Sequence, residues 1–175
     1  MHFSPFLVAS LLLNLLPACQ SQEADPLTPD AGQNYVKVTF DGQTTTYTSA
    51  SFTKGQLGSL VSRGLTAHDA GGYLTVDVFG TQAGTYAFRK DVNQYAQVSQ
   101  IEYRMGGTNY TNYKAVVCPT SSGYYSTDGQ VVIDYDKEGR RMKGTFSGSL
   151  LDQNEADQCN KVGKPISGEF SLTVK

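Results

Sequence analysis

Beyond residue 19 the chain carries one histidine, His68, beside Asp69. Zinc sites and Ser-His-Asp or Cys-His nucleophiles lean on histidine, so such chemistry could run only through His68. Its place next to Asp69-Ala70-Gly71-Gly72 reads as a surface turn, so neither a metal site nor a catalytic set is expected. Carboxylates are the other source of acid and base. Asp77, Glu102, Asp134 and Glu169 fall at outward positions of alternating segments, and a pair of them could act on a glycosidic bond. Their spacing selects no two. Asp134-Tyr135-Asp136-Lys137-Glu138-Gly139 opens like a calcium loop, but position twelve is Thr145, where a bidentate glutamate is needed. A hairpin turn explains the same residues. Tyr103, Asn109, Tyr110, Asn112, Tyr113, Tyr124 and Tyr125 form the candidate binding face: rings that could stack and amides that could hydrogen-bond, as glycan or peptide binders use them. Ordinary strand packing of tyrosine accounts for the same residues, and the absence of Trp weighs against sugar binding.

The N-terminus carries a different chemistry. Phe3 to Leu16 is an apolar stretch of 14 residues, roughly 21 Å as a helix and short of the ~30 Å hydrocarbon core. Followed by small residues, it reads as the hydrophobic region of an export signal. Leu16-Pro17-Ala18-Cys19 resembles the lipobox of bacterial lipoproteins, with Pro17 at a position more often held by a small residue and His2 as the lone basic-type residue before the apolar run. The resemblance implies that Cys19 is diacylated and becomes the new N-terminus. Two or three acyl chains, at about 0.8 kcal/mol per buried CH₂, would hold the protein on a membrane. Gln20 to Gly32, polar and broken by Pro26 and Pro29, reads as a hydrated tether. Gln20 directly after the cysteine, rather than Asp, resembles the outer-membrane sorting pattern. The expected organisation is a signal peptide over 1–18, a lipidated terminus and tether over 19–32, and one domain over 33–175.

In an oxidising envelope compartment the two remaining cysteines, Cys118 and Cys159, most simply pair. A loop of about 40 residues closed in this way would stabilise the fold by roughly 4 kcal/mol in the chain-entropy model. The alternatives are a redox pair or a nucleophile, but neither cysteine has a Cys-x-x-Cys partner or an adjacent base.

What must position these groups is a β domain. The 175 residues, less leader and tether, fit one domain. With 14 Lys+Arg against 16 Asp+Glu, the net charge of -2 offers no field for a polyanion, so nucleic acid is not an expected partner. Gly 18 and Tyr 11 mark a chain of turns and strands. Val36, Val38 and Phe40 alternate with Lys37 and Thr39 before an Asp41-Gly42 hairpin signal. A Thr- and Tyr-rich run covers Thr44 to Phe52, and Lys54 to Val61 fits a short helix or a loop with one strand. Leu74, Val76 and Val78, then Tyr86 and Phe88, continue the alternation. Val98 to Met105 and Tyr110 to Cys118 predict a hairpin about Gly106-Gly107, and Gly129 to Asp134 predicts a strand before the turn at Asp136–Gly139. Met142, Phe146 and Leu150, and then Ile166, Phe170, Leu172 and Val174, share a buried parity with Gly144 and Gly168. The echo of Lys143-Gly144-Thr145-Phe146-Ser147 in Ser167-Gly168-Glu169-Phe170-Ser171 reads as packing. Eight to ten such strands must close into an antiparallel barrel or sandwich, a lipocalin-like meander among the options.

The lipobox, tether, Asp-Gly turn, Gly84-Thr85-Tyr86 strand and closing Gly-Thr-Phe-Ser and Gly-Glu-Phe pair together resemble a family of uncharacterised Bacteroidota lipoproteins. That resemblance implies architecture and location and carries no activity or cofactor. The function classes left are a non-enzymatic envelope lipoprotein that binds a glycan, a small apolar ligand or an envelope protein; a carboxylate-dependent enzyme on polysaccharide; or a purely structural envelope protein.

Overall fold

The computed structural model describes residues 32–89, 98–115, 118–119, 125–126, 129–155 and 159–174. Cys19, the stretch expected from sequence to be an export signal and most of the expected tether lie outside them. The strands are β1 (Tyr35–Phe40), β2 (Gln43–Tyr47), β3 (Ala50–Leu57), β4 (Leu60–His68), β5 (Gly72–Phe79), β6 (Gly84–Phe88), β7 (Val98–Met105) and β8 (Thr111–Ala115). They continue with β9 (Cys118–Pro119), β10 (Tyr125–Ser126), β11 (Gln130–Tyr135), β12 (Arg141–Asp152) and β13 (Lys164–Thr173). Eleven belong to one sheet, and β9 and β10 form a separate pair. The all-β expectation holds.

Local chemistry sets most of the turns. Asp41 and Gly42 both have positive φ, 50° and 81°, the two-residue hairpin geometry that Asp-Gly favours. Asp69 accepts the N–H groups of Gly71 and Gly72 at 2.8 Å and closes the β4–β5 turn. Asp136 accepts from Arg140 N and Arg141 N at 2.7 and 3.1 Å. Its carboxylate is thus consumed by the β11–β12 turn, in accord with the hairpin reading. Lys54 to Val61, which sequence left between helix and loop, is the tip of the β3–β4 hairpin, and the Thr44–Phe52 run is two strands broken at Thr48-Ser49.

The strand order is β2-β1-β13-β12-β11-β6-β7-β5-β4-β3. Strand β12 pairs with β11 through its first half and with β8 at its end, and β7 pairs with both β6 and β8. Hydrogen bonding therefore closes a ring of β12, β11, β6, β7 and β8. The β6–β7 pairing is parallel and the order is not sequential, which corrects the option of a lipocalin-like meander. At the two ends of the order stand β2 and β3, yet Tyr47 and Ala50 are separated only by Thr48 and Ser49. Three backbone steps reach at most roughly 11 Å, so the sheet must curl until its edges adjoin.

The curl encloses one core fed by the inward residues of β1, β4, β5, β6, β7, β11, β12 and β13. Its centre is the β12–β13 pair. Phe146 lies opposite Gly168, and Phe170 opposite Gly144. A methyl group at Gly168 would overlap the Phe146 ring, and one at Gly144 would stand 2.5 Å from Phe170 Cζ. Each ring occupies the space its partner strand leaves empty, an arrangement that protects a strand glycine while burying the aromatic. This reciprocal pairing is the origin of the sequence echo. Phe88 repeats it on Gly148, where an added Cβ would stand 2.9 Å from Phe88 Cε2. Cys118 and Cys159 stand at disulfide distance, Cα atoms 5.5 Å apart, and tie the loop after β12 to the segment after β8.

Two predictions follow from this packing. Gly168→Ala should destabilise the protein by about 1–3 kcal/mol through overpacking, whereas Ser147→Ala, on the exposed side of β12, should stay within about 0.5 kcal/mol; urea unfolding of both variants measures the difference. Cys159→Ser should cost about 2–4 kcal/mol, read from the same curves, and adding reductant should bring the parent protein to the variant's midpoint while leaving the variant unchanged.

Candidate functional site

A cleft of about 360 Å³ opens at the end of the core where the β1–β2 turn, the β7–β8 turn and the start of β13 converge. Its apolar floor is Phe40, Tyr113 and Met105, and its polar rim includes Asp41, Asn109 and Lys164. Phe40 ends β1 because the Asp41-Gly42 turn reverses the chain there. Its ring meets Tyr103 edge-on with centroids 5.1 Å apart, and Tyr113 at 4.8 Å. Tyr103 and Tyr113 are directly opposed on β7 and β8, so the three rings form one aromatic cluster.

Polar groups tie the cluster down from both sides. Beneath it, the hydroxyls of Tyr47 and Tyr103 hydrogen-bond at 3.0 Å with both residues buried. Burial pushes the pKa of each phenol above the ordinary tyrosine value, so the pair stays neutral and acts as a structural link. Above it, Lys164 Nζ donates to Asp41 Oδ2 at 2.7 Å. The ammonium stands 5.9 Å from the Phe40 ring centroid and 5.8 Å from that of Tyr113, within the range of a cation–π contact. The Asp41 hydrogen bond and charge raise the Lys164 pKa. The cleft thus offers an aromatic surface, a fixed cation beside an anion, and an amide.

The sequence-predicted face divides. Asn109 and Tyr113 line the cleft, and Tyr103 lies under its floor. Tyr110 is exposed on the other side of the sheet, where the Arg104 guanidinium sits 4.1 Å from its ring centroid. Asn112 is also on that side, its Nδ2 donating to Gln153 Oε1 at 2.9 Å. Tyr125 belongs to β10, and Tyr124 lies outside the described residues. Alternation along β8 is the physical reason: neighbours in sequence point to opposite faces. Phe40, Asp41, Met105 and Lys164 escaped sequence reasoning because three separate turns bring them together; the Asp-Gly turn signal was the one visible clue.

The four carboxylates fall into two outward pairs. Glu102 faces Thr75 and so stands diagonal to Asp77 across the β5–β7 ladder. Glu102 also approaches Arg104 Nη2 at 3.5 Å and Lys114 Nζ at 4.0 Å. Asp134 and Glu169 line a second, shallow depression of about 570 Å³ with Tyr35, Arg141 and Lys143. There Arg141 is committed to the backbone, donating to Gly32 O at 2.6 Å and Gln33 O at 2.8 Å and to Ser171 Oγ at 2.9 Å. It latches the start of the domain onto β13. His68 is exposed, 3.4 Å from Ser49 Oγ, and no cluster of potential metal ligands occurs among the described residues.

Burial, and then the Glu102 charge, hold the Asp77 pKa above the ordinary carboxylate value. A carboxyl with a raised folded-state pKa costs stability when ionised. That cost is absent below the unfolded pKa of about 3.9, grows as pH rises, and is complete above the folded pKa. Asp77→Asn should therefore melt above the parent protein at pH 7, with the gap closing by about pH 3; thermal melts of both proteins across this range measure it.

Comparison with known protein families, with curated proteins and with solved structures finds no match for this chain.

Proposed function

We propose that this chain is a lipid-anchored envelope lipoprotein, held through Cys19 and sorted to the outer membrane, whose β domain binds a small polar ligand at the Phe40–Tyr113–Lys164 cleft without catalysing a reaction. The observation that carries the binding reading is the juxtaposition there of an aromatic cluster with the Asp41–Lys164 ion pair and Asn109. Aromatic surface beside a few convergent polar groups is the chemistry of a ligand site, and a ring that stacks with hydroxyls that hydrogen-bond is the chemistry of a sugar. A glycan of the envelope is the favoured ligand, ahead of an apolar molecule or an envelope protein, because large core side chains occupy the interior and leave the ligand at the mouth. The lipobox, the tether and the paired cysteines support the location.

Thermal shift of the full chain in detergent, with glycans, fatty acids and peptides, tests the binding reading. A glycan at 100 times its dissociation constant should stabilise by about 2.7 kcal/mol, and Tyr113→Ala and Lys164→Gln should each lose most of that gain. Glycan binding unchanged in both variants would move the site away from this cleft. Labelling of growing cells with a radioactive fatty acid tests the anchor: Cys19→Ser should abolish incorporation.

A further inference from the structure

The outer face of the sheet beside the cleft carries an aromatic surface to which the proposed function gives no role. Tyr73 on β5 lies opposite Arg104 on β7, and Arg104 lies opposite Asn112 on β8, so the three side chains share one face, away from the core. The Arg104 guanidinium stands 4.1 Å from the Tyr110 ring centroid and 5.8 Å from that of Tyr73. Glu102 approaches the same guanidinium, 3.5 Å from Nη2. One side of the Tyr110 ring thus rests on a cation, while the residue as a whole is 51% exposed. A ring braced in this way has less motion to lose when a ligand stacks on its open side.

This surface adjoins the cleft. Asn109 and Thr111 both line the cleft, and Tyr110 is the residue between them, its Cα about 3.8 Å from each of theirs. Alternation along the chain sends Tyr110 over the rim while its neighbours face in. The rim is low there, because the β7–β8 turn crosses it on Gly106 and Gly107, which carry no side chain. Charges on the two surfaces balance. In the cleft Asp41 pairs with Lys164; outside it Glu102 is shared by Arg104 and Lys114, with Asp77 diagonal to it. Neither surface selects a charged ligand. Rings, paired charges and the amides of Asn109 and Gln153 suit a neutral chain of sugars, whose ring faces stack and whose hydroxyls hydrogen-bond.

We infer that the cleft and Tyr110 are successive subsites for one neutral oligosaccharide, which seats one unit in the cleft and lays the next over the Gly106-Gly107 rim onto the Tyr110 ring. The inference rests on the glycan reading of the cleft and extends it from a single sugar to a chain.

Isothermal titration of the full chain, in a detergent without a sugar headgroup, tests it by comparing N-acetylglucosamine with its β-1,4-linked tetramer and glucose with maltotetraose. In at least one series the tetramer should bind the parent about tenfold or more tightly than the monosaccharide, because the second contact becomes intramolecular once the first is made. Tyr110→Ala should bring the tetramer down to the affinity of the monosaccharide and leave the monosaccharide unchanged. Tyr110→Phe, which keeps the ring, should bind both as the parent does. A melting curve of Tyr110→Ala that matches the parent's, as expected for an exposed side chain, separates a lost contact from a lost fold. Equal affinity of the parent for both lengths, or a tetramer advantage that survives Tyr110→Ala, would overturn the extended site and leave the cleft as a sugar site. Absence of binding by both series would remove the glycan reading and the extended site together.

Discussion

Strand β12 serves three partners because its 12 residues let β13 pair along one edge while β11 and then β8 share the other, and glycine is what lets rings pack over the centre of the β12–β13 pair. A side chain at Gly144 would meet the carbonyl of Val132 on β11 as well as the Phe170 ring; one at Gly168 would meet the carbonyl of Lys37 on β1 as well as Phe146. The space released by each missing side chain is filled by a phenylalanine from the opposing strand, and each buried ring contributes roughly 1.5–3 kcal/mol of apolar transfer. The rest of the architecture hangs on this pair: β1 and β2 are added beyond β13, and the ring through β11, β6, β7 and β8 starts and ends on β12.

Closing that ring places polar groups where water cannot serve them, and the molecule satisfies most of them locally. Ser99, fully buried beside the parallel β6–β7 step, donates to Tyr86 O at 2.8 Å. Ser171 is taken up by Arg141, and Tyr47 and Tyr103 satisfy one another.

The first described residues of the domain are tied down by its C-terminal strands. Arg141 grips Gly32 and Gln33, and Asn34 accepts from Thr173 N at 2.8 Å. The start of the domain is therefore fastened to its last strand, which in turn is fastened to β12.

By itself the sequence determined the local periodicities: alternating strands, Asp-Gly and Asp-x-Gly-Gly turns, the buried parity of the last two strands, and the two cysteines that come together. These were legible because each is written in neighbouring residues, where a period of two or a turn residue has a direct backbone cause. Tertiary structure alone decided the strand order, with β6 carried to β11 and laid parallel to β7, since register between distant strands leaves no local mark. It also decided the sites. Tyr103, Asn109, Tyr110, Asn112 and Tyr113 cluster in sequence, but strand pleating sends them to two faces. The cleft that Asn109 and Tyr113 share with Phe40, Asp41 and Lys164, and the contact of Arg63 with Tyr135, exist only because the sheet curls until residues 70 or more positions apart meet.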